Sequence, residues 1–229
     1  MSKTILLLGA GKMVGEGIAS HFHQAGYKVA LASRSGNFPW DTKNSYLHVK
    51  ADFADPSSVE GVFQKVKTEY GVPNVVVYNT AIMTPTPQPT SESVAAFETG
   101  IKSTIVSGYA AAKYALEGFR TLPSEVSKTF IWTGNGLNVK PVPVLFNLGV
   151  GKAGAASIVQ TLAAAYGNDG FKFYYADERK PDGGFISQEI SGENHGKFYL
   201  KLAEGAAGVP WDATFVGSEY VDFGGKAFW

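Results

Sequence analysis

Cysteine is absent from all 229 residues. That excludes disulfides, thiolate zinc sites, iron–sulfur clusters and cysteine nucleophiles, and it fits a reducing compartment. A surplus of either charge is also missing. Twenty Lys+Arg stand against twenty Asp+Glu, so nothing draws the whole chain to nucleic acid or to an anionic membrane. Long hydrophobic runs are lacking too. Ile5-Leu6-Leu7-Leu8 is too short for a signal-peptide core and runs into glycines. Nothing approaches the roughly 20 apolar residues of a membrane helix, and a cytoplasmic location is the expectation. His21, His23, His48 and His195 have no partners at metal-ligand spacing, so no metal site is expected. What remains is a chain with 45% hydrophobic and 17% charged residues, the composition of a globular protein. Its length suits one domain spanning 1–229.

Short apolar runs alternate with longer helical patterns. Thr4–Leu8, Lys28–Ala32, Tyr46–Lys50, Asn74–Tyr78, Lys128–Thr133, Phe171–Tyr175 and Ala213–Val216 read as strands, being short, β-branched or aromatic, and bounded by turn residues. Gly15–Ala25, Ser57–Tyr70, Ser91–Phe119 and Leu148–Tyr166 read as helices. Phe198, Tyr199, Leu202 and Ala203 mark the buried face of one more. Repeated β-then-α units predict an α/β fold, a doubly wound parallel sheet with helices on both faces. Thr84–Pro89 breaks helix and strand alike just after a strand, where open α/β sheets place binding loops. The glycine-rich tail from Gly205 can supply an edge strand and a packing arm. Asp177-Glu178-Arg179-Lys180 reads as a solvated turn before Pro181.

The first strand runs into Gly9-Ala10-Gly11-Lys12-Met13-Val14-Gly15-Glu16-Gly17 and then a helix. Glycines permit a tight turn and let backbone amides reach a phosphate, and the helix N-terminus favours its charge. The spacing departs from G-x-G-x-x-G. After the second strand come Ser33 and Arg34, with no acid placed to bond a ribose 2′-hydroxyl. Arg34 can fork onto a 2′-phosphate with Ser33 and Lys12 assisting, or it is a solvated arginine in a turn.

Gly11, Gly15 and Gly17 give G-x-x-x-G-x-G, which resembles the short-chain dehydrogenase/reductase family. The resemblance covers roughly residues 3–175. It implies a Rossmann-like sheet of about seven strands and binding of NADP(H) through Gly9, Gly11, Lys12, Met13, Gly15, Ser33 and Arg34. It also implies adenine contacts from Asp52 and Phe53, a place for Asn79 and Ala81 in the family's Asn-Asn-Ala-Gly sequence, and a homodimer or homotetramer. Lys152 matches the family lysine that grips the nicotinamide ribose. The tyrosine position falls on Leu148, the serine position near Thr133, and the helix-asparagine position on Gly100. Thr133 and Asn135, with Lys152, are the candidate catalytic residues, and Asn138, Tyr174, Tyr175, Asp177 or Glu178 are further substitutes. Tyr174 and Tyr175 point to opposite faces of a strand, so at most one can face the site. The expectation is hydride transfer to a small carbonyl or enone with a non-standard proton donor. The alternatives are a non-catalytic NADP(H) sensor or scaffold, or a non-redox enzyme of the same descent.

Overall fold

The computed structural model describes residues 3–42 and 46–224. Eight strands form one sheet in the order β3-β2-β1-β4-β5-β6-β7-β8. They are β1 (Thr4–Leu8), β2 (Lys28–Ser33), β3 (Leu47–Lys50), β4 (Val75–Tyr78), β5 (Lys128–Thr133), β6 (Phe171–Glu178), β7 (Asp212–Val216) and β8 (Glu219–Tyr220). Every neighbouring pair is parallel except β7 with β8. The eighth strand corrects the expected seven. It is the edge strand drawn from the glycine-rich tail, whose residues 225–229 lie outside the described residues.

The central strands are apolar without interruption because both faces are covered. On one face Leu6, Leu8, Val76, Tyr78, Trp132 and Tyr175 pack against α2 (Ser58–Tyr70), α4 (Ser107–Phe119) and α5 (Phe146–Tyr166). On the other Ile5, Leu7, Val77, Ile131 and Tyr174 pack against α1 (Val14–Gln24) and α6 (Gly192–Glu204). Tyr174 and Tyr175 therefore diverge as strand alternation requires. Each such side chain, fully buried, contributes roughly 1.5–3 kcal/mol. Strand order reverses between β1 and β4, which opens a crevice beyond the strands' carboxyl ends.

Two expectations need correction. The helix expected over Ser91–Phe119 is interrupted: α3 (Val94–Ile101) passes into a π-turn at Lys102–Val106 before α4. The Tyr78 phenol donates to the Ser103 carbonyl there, and Ser107 Oγ donates to Phe53 O at 2.7 Å. Carbonyls and hydroxyls turned to tertiary partners accompany the irregular turn. The other correction concerns β6, which continues past Tyr175 and carries Asp177 and Glu178 into the interior. Asp177, Glu178 and Arg179 are 1%, 3% and 3% exposed, so three residues of the supposed solvated turn are buried. No helix among the described residues is long and apolar enough to cross a membrane.

Candidate functional site

At the crevice, β1 ends in a turn that only glycine makes cheaply. Gly9 has φ +86°, and a side chain on it would overlap Thr80. Gly9 N and Ala10 N both donate to Ala32 O, at 2.9 and 3.2 Å, which ties the loop to β2. Asn79 braces it from β4: its Nδ2 donates to Gly9 O at 2.9 Å and its backbone N to Leu8 O at 2.8 Å. Gly15 packs on Ala10, and Gly17 lets α1 meet Gly192 of α6. Gly11 has no such internal reason, because a Cβ there would meet nothing within 4 Å. Its bare backbone faces open space at the N-terminus of α1, whose first amides lack intrahelical acceptors. That arrangement fits a phosphate.

Two connected clefts flank this loop. One, of about 490 Å³, is lined by Gly9, Gly11, Asp52, Phe53, Asn79 and Ala81 among others. The other, of about 960 Å³, is lined by Lys12, Ser33, Arg34, Asn37, Phe38 and Trp40 among others. Both share Ala10, Ser33 and Arg34. Lys12, Met13 and Arg34 are exposed, and no acidic residue lines the larger cleft among the described residues. Ser33 Oγ accepts from Gly36 N at 3.3 Å, which shapes the turn that presents Arg34. Asp52 Oδ1 accepts from Ala54 N at 3.0 Å, and Phe53 is buried beside it. Gly9, Gly11, Lys12, Ser33, Arg34, Asp52, Phe53, Asn79 and Ala81 thus line these two clefts, whereas Met13 and Gly15 do not and Gly15 is buried. Lys152 stands apart from these two clefts, on α5.

At the far end of the crevice the chemistry-bearing side chains are buried. Lys152 Nζ donates to Thr133 O at 2.6 Å. Burial pushes this ammonium down to about 8, with the Asp177 carboxylate working the other way. Leu148 lies one turn earlier on α5 and is buried. The Thr133 hydroxyl is turned to the other face, where Tyr199 OH lies 3.0 Å away. Burial holds the Tyr199 phenol well above its ordinary value. Asn135 Oδ1 accepts from Leu137 N at 3.1 Å. Tyr175 OH donates to Asn135 O at 2.8 Å and lies 3.1 Å from Asn135 N. The structure therefore joins Lys152 to Thr133 through the backbone carbonyl and spends the Thr133 hydroxyl on α6. Asn138 Oδ1 is buried without a partner among the described residues.

Asn147 escaped the sequence reading, and so did the contacts of Tyr175, Asp177 and Glu178, which it names only as possible substitutes. Asn147, buried at the start of α5, donates through Nδ2 to Glu92 Oε1 at 2.9 Å and to Ala96 O and Phe97 O at 3.4 and 3.3 Å. Its carboxamide fills the space that a side chain at Gly100 would take. The Tyr175 ring likewise fills the side-chain space of Gly134. Asp177 holds Arg179 Nε at 2.5 Å, and burial pushes its carboxyl up to about 6 against the pull of Arg179. On the opposite face Glu178 accepts from Ser191 N at 3.0 Å and Asn194 Nδ2 at 2.7 Å, with His195 Nδ1 at 3.3 Å. Burial works to raise the Glu178 carboxyl, but these hydrogen bonds outweigh it and hold it low. The partners of Glu178 lie 13 and 16 residues further on and leave no local pattern in sequence, while the Asp177–Arg179 pair has the composition of a turn. No group of three or more metal-ligating side chains occurs among the described residues.

A doubly wound sheet with a glycine turn at its switch point defines a dinucleotide-fold protein. Residues 9–174 match the family described as enoyl-(acyl carrier protein) reductase. The chain is 39% identical, over 97% of its length and 95% of the relative's, to the short chain dehydrogenase/reductase dmxR12 of Cryptosporiopsis sp. (strain 8999). The chain belongs to the short-chain dehydrogenase/reductase family, an oxidoreductase family. Its fold is similar to that of the 3-ketoacyl-(acyl-carrier-protein) reductase from Brucella melitensis complexed with NADH, with TM-score 0.79, 16% identity, and coverage of 94% of this chain and 97% of that one. It is similar also to ElxO with NADP bound, with TM-score 0.76, 19% identity, and coverage of 95% and 97%.

Proposed function

We propose that this chain is a single-domain NADP(H)-dependent oxidoreductase that acts on a small carbonyl or enone without the family tyrosine, whose position is taken by Leu148. The observation that carries the reading is the cleft beside the glycine turn, which pairs Lys12 with Arg34 and has no acid in its lining. An arginine fork and an ammonium suit a 2′-phosphate, whereas a 2′-hydroxyl calls for a carboxylate. Gly11 and the start of α1 hold the pyrophosphate. Asp52, Phe53, Asn79 and Ala81 line the adenosine and central part of the groove, and Lys152 meets the nicotinamide ribose. Bound NADPH supplies a hydride.

The chain's own residues supply position and charge. The Lys152 ammonium stabilises negative charge growing on a substrate oxygen. Asn135, on the backbone brace from Tyr175, orients the carbonyl. Thr133 fixes Lys152 through its own carbonyl. Loss of a phenol general acid lowers the rate by ~10²–10⁴-fold without removing the reaction.

The test is titration with NADPH and NADH, followed by NADPH oxidation with aldehydes, ketones, quinones and enones. Tighter binding of NADPH and turnover of at least one compound are expected. Equal affinity for the two cofactors sinks the NADP(H) assignment. The buried Leu148 favours a second reading, a non-catalytic NADP(H)-binding module. In that case NADPH raises the melting temperature and no compound reacts. Val106, Tyr109, Phe146 and Val150 are exposed on the outer side of the α4–α5 region. They support a homodimer or homotetramer, which light scattering in solution checks.

A further inference from the structure

We propose that Asp177 is a positioning residue for Lys152, the buried counter-charge that keeps this lysine protonated in the site. The inference rests on the reading of Lys152 given above. It starts from the strand that the sequence reading cut short. In β6, Phe173 and Tyr175 face the core on the α5 side, and Asp177, two residues on, points the same way. That is also the side from which Lys152 enters.

Fastening the loop after β6 does not account for this carboxylate. Arg179 takes only Oδ2 and passes its other contact to Gly183 O, at 2.9 Å. Asp177 Oδ1 is buried with no partner among the described residues. Lys152 is in the complementary condition. It is 5% exposed, and among the described residues the one acceptor for its three donors is a neutral carbonyl, Thr133 O. An isolated buried charge of either sign is costly. Two opposite, half-satisfied charges on one side of one sheet stabilise each other. Lys152 Nζ is held at the carbonyl of Thr133, which pairs with Ala176, the neighbour of Asp177; burial moves both groups toward neutrality, and against it Asp177 works to raise Lys152 and Lys152 to lower Asp177. Asp177 is also faced by Arg179 and by Asp212 of β7, and its charge reaches the phenols of Tyr175 and Tyr199. Among these, Lys152 is the cation not already committed to a carboxylate. Without Asp177, desolvation acts on Lys152 unopposed, and the amine loses its charge near neutral pH.

Two measurements test this. First, NADPH affinity is followed by fluorescence from pH 6 to 9.5 in wild type, Lys152→Arg, Asp177→Asn and Asp177→Glu. The wild type loses affinity through a midpoint near 8 that Lys152→Arg lacks, since arginine does not titrate there; changes common to both belong to the cofactor phosphates. Asp177→Asn moves that midpoint down by about one pH unit or more, and Asp177→Glu restores it. A folded Asp177→Asn variant with the wild-type midpoint overturns the proposal. A purely structural Asp177 would weaken binding equally at every pH. Second, the coupling is reciprocal, so it is read without cofactor from the ¹³C carboxyl signal of Asp177. That signal titrates at higher pH in Lys152→Met than in wild type, and an unchanged midpoint overturns the proposal even if Asp177→Asn does not fold. If wild type binds no NADPH, the functional reading fails while the carboxyl titration still decides this one.

Discussion

The two ends of the crevice are built in opposite ways. At the β1–β2 end backbone amides and exposed cations are set around one glycine turn, and each segment there carries a short local pattern of its own. At the β5–β6 end most of the groups are buried, and several take partners from other segments: Lys152 with Thr133, Thr133 with Tyr199, Asn147 with Glu92. The first end is a surface that awaits an anion. The second is a packed interior in which each polar atom is committed or conspicuously uncommitted. The glycine turn is held by β2 and β4 through contacts separate from those of the β5–β6 end.

Leu148→Tyr breaks this contrast with the largest effect. It places a phenol one helical turn before Lys152, on the same face of α5. If only the acid is missing, carbonyl reduction appears or rises by ~10²–10⁴-fold, measured as NADPH oxidation. No change in a folded variant that still binds NADPH means that the whole pocket has left the family's chemistry.

The buried charges give the next effect, on stability. Burial raises Asp177 from 3.8 to about 6. The native state then takes up a proton in that window, and stability falls as pH rises through it. Burial lowers Lys152 from 10.5 to about 8. There the unfolded chain holds the extra proton, and stability rises with pH between those values. Both groups are therefore charged and least favourable between about pH 6 and 8. Lys152→Met, which leaves the buried Asp177–Arg179 pair intact, should gain ~1–4 kcal/mol in that range, with a smaller gain at pH 10. Denaturant unfolding at pH 4.5, 7 and 10 checks it, and a gain independent of pH counts against the charge argument.

At the exposed end the expected effect is on affinity alone. Arg34→Ala should weaken NADPH by roughly 10–100-fold, as a charge-assisted bond worth ~1.5–3 kcal/mol predicts. NADH affinity and melting temperature stay unchanged, because Arg34 is exposed. Calorimetry with both cofactors decides it, and equal losses for the two place Arg34 away from the 2′ position.

This contrast also explains what the sequence made legible. Strands β1 and β5 were read with their true limits, and the glycine turn, Asn79 and Arg34 could be placed, because local periodicity and turn chemistry determine them. The π-turn at Lys102–Val106 could not be read, since its cause is a pair of hydrogen bonds to Tyr78 and Phe53 from other segments. The extension of β6 was hidden by its charges. Asp177, Glu178 and Arg179 have the composition of a turn and are satisfied in the interior by the Asp177–Arg179 pair and by Gly183, Ser191, Asn194 and His195. Asn147 gave no signal at all, because the gap it fills is defined by a glycine 47 residues earlier on another helix.

That last pair supports the smallest and most discriminating test. Gly100 lies in α3, where alanine is intrinsically preferred to glycine by ~1 kcal/mol. Its Cβ would nevertheless collide with the Asn147 carboxamide, and overpacking of that kind costs ~1–3 kcal/mol. In the wild-type background Gly100→Ala should therefore destabilise. Asn147→Ala by itself should also destabilise, since it removes the donor to Glu92, Ala96 O and Phe97 O. Combined, the two should not add. With the carboxamide gone the methyl at position 100 has room, and the helix preference can reverse the sign of the Gly100→Ala effect. The expected coupling is ~0.5–3 kcal/mol, read from urea midpoints of the four proteins in one cycle. Additive effects would mean that Asn147 does not hold the space beside position 100, and that the catalytic end is looser than its hydrogen bonds imply. A reversed sign would identify the departure from the family pattern at Gly100 as an exchange between two helices, with the carboxamide now delivered to α3 from α5.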